Sequence, residues 1–125
     1  MARSAEKPDP SCESELHGIL AFSSFEDAER TLFHLEKLRQ KYLDSGDKIG
    51  VGRCRQVALR GRQRAEFIGR NPKVRPEKRA QKLEIAEWFR VWLETPELFT
   101  DWLALRKETA EFKELLDQEL LDAER

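Results

Sequence analysis

Eleven cations fall between Arg53 and Lys82, six of them arginines in the eighteen positions from Arg53 to Arg70. Side chains of this type at this density can neutralise successive phosphates. That makes Arg53, Arg60, Arg62, Arg64, Arg70, Lys73, Arg75 and Arg79 the candidate polyanion-binding set. Helical register divides them. Arg53, Arg60 and Arg64 flank one side of a stripe of small residues, while Arg55 and Arg62 flank the other. The face opposite the stripe holds Gln56, Gln63 and Phe67. Flanking positions are where long cationic side chains lie along a helix seam and meet acidic neighbours, so pairing within the fold or its assembly is preferred to polyanion binding. Aromatic interleaving is sparse here: Phe67 is in the basic stretch, whereas Trp88, Trp92 and Trp102 lie in the acidic half.

The other reactive side chains make weaker patterns. Cys54 sits between Arg53 and Arg55, and neighbouring cations lower a thiol's pKa. It also lies on the small-residue stripe, where a cysteine packs as a small hydrophobe, and that reading is preferred. His17 and His34 have no Glu-x-x-His spacing of the di-iron type. Glu84 and Glu87 share a helix face and are expected to meet water or the arginines, so that Glu84→Ala costs little. Gly50-Val51-Gly52 lacks the strand, third glycine or lysine of a phosphate loop. No metal, cofactor or catalytic constellation is indicated, and an enzyme is not expected.

The elements that must position these residues read as helices. Charged residues make up 38% of the 125, and few residues are β-branched, which favours helix over sheet. The net charge of −1 conceals a partition: residues 1–36 carry 3 basic and 8 acidic side chains, 37–82 carry 15 and 4, and 83–125 carry 5 and 12. A chain divided this way can pair with itself or offer a basic face to a polyanion.

The hub is the stretch from Leu83 to Leu93, in which eight of eleven residues are apolar and Glu84, Glu87 and Arg90 form a narrow polar strip. A helix so apolar requires more than one neighbour. Four helices are predicted, over about 24–43, 48–70, 76–94 and 96–122. The first is capped at Ser23-Ser24, with an acidic residue three places on, and closed by Asp44-Ser45-Gly46. In the second, the stripe Val51, Cys54, Val57, Ala58, Gly61, Ala65 and Ile68 invites close approach of a neighbour. Asn71-Pro72 ends it, and Thr95-Pro96-Glu97 separates the third from the fourth. The apolar phase of the fourth continues through Lys107-Glu108-Thr109, which reads as one helix of about 40 Å.

These readings assemble into an all-α four-helix bundle, up-down-up-down, occupying 16–125 behind a disordered leader at 1–15. Leu16 to Phe22 reads as either helical or extended. No apolar run approaches a membrane span, no hydrophobic signal core opens the chain, and the two cysteines suit reduced thiols in a cytoplasmic protein. The long fourth helix would overhang the hub from about Glu114. That makes Leu115, Leu116, Leu120 and Leu121 the candidate interface, to be covered by the segment before Ser23 or, as preferred, by a second chain in a symmetric dimer. The function expected is therefore a small helical protein–protein interaction module, a homo-oligomer or an adaptor. The alternative is a nucleic-acid-associated protein using the arginine-rich helix and residues 71–82.

Overall fold

A computed structural model describes residues 20–123; the expected leader, Cys12, His17 and residues 16–19 lie outside the described residues. Among the described residues the chain is all-helical, with five α-helices and one 3-10 turn: α1 (Phe25–Asp44), α2 (Lys48–Gly69), α3 (Pro76–Glu94), the turn Pro96–Leu98, α4 (Phe99–Lys107) and α5 (Ala110–Ala123). None of these helices is long and apolar enough to cross a membrane.

Local chemistry sets the boundaries. Ser24 caps α1 by accepting from the Asp27 N–H at 3.1 Å. Gly46, at φ 75°, takes the left-handed conformation that lets the chain turn back, and the Asp47 N–H then bonds the Tyr42 carbonyl at 2.8 Å. Asp47 caps α2 by accepting from the Gly50 N–H at 2.9 Å. Residues 20–22 are not helical; Ala21 is held in both directions by the Thr31 hydroxyl, at 3.1 and 3.0 Å.

The long helices pack through matched residue sizes. Gly50, Cys54, Ala58, Gly61, Ala65 and Gly69 form the buried stripe of α2. A Cβ at Gly50 would meet the Tyr42 ring at 2.6 Å, one at Gly61 the Phe89 ring at 2.9 Å, and one at Gly69 the Leu83 side chain at 2.6 Å. The Gly61–Phe89 and Gly69–Leu83 pairings run α2 antiparallel to α3, and Gly50–Tyr42 sets α2 against α1, at separations that only small side chains permit. On the other side of α3, Phe25, Trp88 and Phe112 bring α1, α3 and α5 together, with ring centroids 5.0 to 5.7 Å apart. Trp88, Phe89 and Trp92 of the hub are fully buried.

The fourth expected helix is two. Thr109 breaks it: its hydroxyl donates to the Arg106 carbonyl at 2.9 Å and accepts from the Phe112 N–H at 3.2 Å, closing α4 and capping α5. The apolar phase runs through the break, which is why periodicity alone does not reveal it. At the preceding corner the Thr95 hydroxyl bonds back to the Val91 carbonyl at 3.1 Å instead of capping the next helix.

Candidate functional site: the outward face of the second helix

The structure separates the candidate cations. Arg60 and Arg64 are exposed on α2 and take part in no ion pair among the described residues. Arg53, half-buried, lies on the same flank, within about 40° of both at 100° per residue. Arg62 occupies the other flank and approaches Glu66 of its own helix at 3.6 Å. Arg70, just past the end of α2, shares that carboxylate at 3.6 Å, and Arg75 lies 3.9 Å from Glu77. Lys73 is exposed in the turn between α2 and α3, where its N–H bonds the Asn71 side chain. Arg79 is half-buried on α3, with its Nε enclosed and without a partner among the described residues. Arg53, Arg60 and Arg64 thus share one flank of α2, whereas Arg62 and Arg70 converge on Glu66.

The expected pairing with acidic helices does not hold for Arg60 or Arg64. Arg55 does bridge to α3, but its partner is the Leu93 carbonyl, at 2.8 Å, near the helix end where carbonyls lack helical partners. Phe67 and Ile49 stand in line with Arg60 and are 75% and 71% exposed. The outward face of α2 therefore combines two large apolar side chains, Gln56 and Gln63, and the guanidinium groups of Arg60 and Arg64, which have no ion-pair partner among the described residues.

Beside this face, between α2 and the end of α3, runs a groove of about 660 Å³. Gly52, Leu59 and Leu93 contribute apolar surface, Arg55 and Arg62 line its α2 side, and Glu94, bonded to Arg90 at 2.8 Å, lines it from α3.

The polar strip of the hub divides as well. Glu87 and Arg90 are half-exposed and pair with each other, and Arg90 holds the Glu87 carboxyl below its usual range. Glu84 departs from expectation: it is buried, accepts from the Trp88 indole N–H at 2.9 Å, and is bound by Arg106 of α4. An arginine 22 positions away in the sequence supplies the partner, so spacing within α3 gives no sign of it. Lys82 is buried too. Its Nζ donates to the Phe22 carbonyl and lies 5.1 Å from the centre of the Phe22 ring. Burial, then Lys78, pulls its pKa below 10.5.

Cys54 is fully buried, as its place on the stripe predicts. His34 is exposed on α1. Among the described residues no group of three potential metal ligands lies together. Leu115 and Leu116 are half-buried against the core, while Leu120 and Leu121 are 57% and 56% exposed. The overhang is shorter than a continuous helix implies, because Glu119 is still anchored, accepting from the Phe25 N–H at 2.9 Å and the Gln81 amide at 2.5 Å.

No protein-family model matches the chain, and no curated protein or solved structure matches it with significance.

Proposed function

We propose that this protein is a small helical protein–protein interaction module and that its contact surface is the outward face of α2 with the adjoining groove. One observation carries the reading: Phe67 and Ile49 stand exposed on the same face as Arg60 and Arg64, which take part in no ion pair among the described residues. Aromatic and arginine side chains together are the residues that dominate protein interfaces energetically, and the guanidinium groups select an acidic partner. The scaffold is an up-down-up-down bundle whose fourth member is broken at Thr109, and its work is to hold α2 rigid through the small-residue stripe.

The second reading, nucleic-acid binding through the same arginines with Arg70, Lys73 and Arg75, gains from the exposure of Arg60 and Arg64. It is weakened because the cations are dispersed: Arg62 lies on the opposite flank, and Arg79 is half-buried on α3.

Purification from the native cell separates the readings, comparing the wild type with a Phe67→Glu/Arg64→Glu variant. The interaction module retains a protein partner after nuclease treatment and loses it in the variant. Retention of nucleic acid, with every associated protein released by nuclease, supports the second reading.

A further inference from the structure

We propose that the α2–α3 groove takes the end of α5 from a second copy of this chain, and that copies associate head to tail. The proposal rests on the interaction-module reading and names its partner. The groove offers an apolar surface at Gly52, Leu59 and Leu93, with two guanidinium groups beside it: Arg55, which uses one N–H on the Leu93 carbonyl, and Arg62, 3.6 Å from Glu66. A Cβ placed on Gly52 would meet nothing within 4 Å, so this part of the groove is open to an incoming side chain. Leu59 is itself 43% exposed.

The matching element is on the same molecule. The outward face of α5 presents Glu114, Asp117 and Leu121 at helical spacings of three and four, with Leu120 on its flank. Leu120 and Leu121 are the large apolar side chains that α5 leaves exposed, and the carboxylates precede them by one and two turns. An apolar tip behind two acidic turns fits the arginine-lined part of the groove in both hydropathy and charge; Glu94, the one carboxylate in the lining, is paired with Arg90 at 2.8 Å.

Geometry forbids a chain from satisfying itself. The groove lies where α3 ends, at Leu93 and Glu94, whereas the α5 terminus lies beside the start of α3, where Glu119 meets Gln81. Donor and acceptor surfaces are thus at opposite ends of the fold. The contact is heterologous: each copy keeps one open groove and one open tail, and assembly continues unless the rotation closes a ring. This differs from the symmetric dimer that the sequence favours.

Sedimentation velocity tests it. The wild-type chain is expected to gain mass with concentration and to lose it as salt rises, because partly exposed charge pairs are screened. Leu59→Glu blocks the groove and Leu121→Glu blocks the tail. Both positions are exposed, so thermal melts should show intact folds, and Arg62→Glu replaces Leu59→Glu if the latter melts early. Each variant alone should be monomeric, and an equimolar mixture should stop at the dimer, one good groove holding one good tail. A wild type that stays monomeric at high micromolar concentration, variants that still associate alone, or a mixture that forms no dimer overturns the proposal. If the wild type is monomeric yet a different protein binds the α2 face, the module reading stands and only the second copy as partner is lost.

Discussion

The guanidinium of Arg106 holds the carboxylate of Glu84 through two hydrogen bonds, Nε to Oε2 at 2.6 Å and Nη2 to Oε1 at 2.5 Å. The pair fixes α4 against α3 at the edge of the core, and Trp88 donates to the same carboxylate. The Glu84 side chain is 7% exposed and that of Arg106 20%. Deleting one partner leaves a nearly buried charge without its counterion. Arg106→Ala or Glu84→Ala should therefore each cost about 2–3 kcal/mol, below the full buried-pair value because Arg106 reaches solvent. Urea unfolding gives the figure. A Glu84→Ala midpoint near wild type would return this residue to the surface role that its spacing suggests.

Glycines of α2 separate packing from helix propensity. Gly61→Ala should destabilise, since its Cβ would lie 2.9 Å from the Phe89 ring and 2.7 Å from the Leu20 side chain. Gly52→Ala enters open space in the same helix and should stabilise by about 0.5–1 kcal/mol. Opposite signs in denaturant midpoints are the expected outcome. Equal shifts would mean that α2 does not approach α3 as closely as described.

What was legible in the sequence follows from which interactions are local. The serine cap before Phe25, the turn at Gly46 and the Cys54, Ala58, Gly61 and Ala65 members of the stripe are read from neighbours a few positions apart, and each appears in the structure; Val51, Val57 and Ile68 are only half-buried, and Gly50 and Gly69 extend the stripe instead. The buried hub was legible because Trp88, Phe89 and Trp92 leave it no exposed apolar solution. The break at Thr109 was missed because hydrophobic phase outlasts it, although Thr109 followed by Glu111 carries a capping signal. Glu84 and Lys82 were missed for a different reason: Arg106 and the Phe22 carbonyl are brought to them only by tertiary packing. For the candidate site, helical register puts Arg53, Arg60 and Arg64 on one flank of α2. It gives no means of knowing that, among the described residues, no acidic side chain pairs with Arg60 or Arg64.

Lys82 gives the fold a dependence on alkaline pH. The unfolded chain keeps this proton up to the ordinary value of 10.5, whereas the folded chain releases it earlier, because burial and then Lys78 outweigh Glu119 and Asp27. Between the lowered folded value and 10.5 the unfolded state binds more protons, so stability from this residue rises with pH across that window. Lys82→Met should remove the rise, read as the difference between wild-type and variant urea midpoints from neutral pH upward. A difference that stays constant with pH contradicts this account of Lys82.

Arg60 and Arg64 should contribute little to stability. Both are exposed without an ion pair among the described residues, so the double change to glutamine is expected to alter unfolding free energy by no more than about 0.5 kcal/mol. A substantially larger loss would show that the guanidinium groups serve the fold, as the sequence pattern suggests.

The role of α2 as the contact surface is tested most directly by a photo-crosslinking residue placed at position 67 in the native cell, with one at the exposed position 37 on α1 as reference. The account predicts a protein adduct at position 67 that survives nuclease and is absent at position 37. Absence of any protein adduct at position 67, or an adduct there only to nucleic acid, would contradict it.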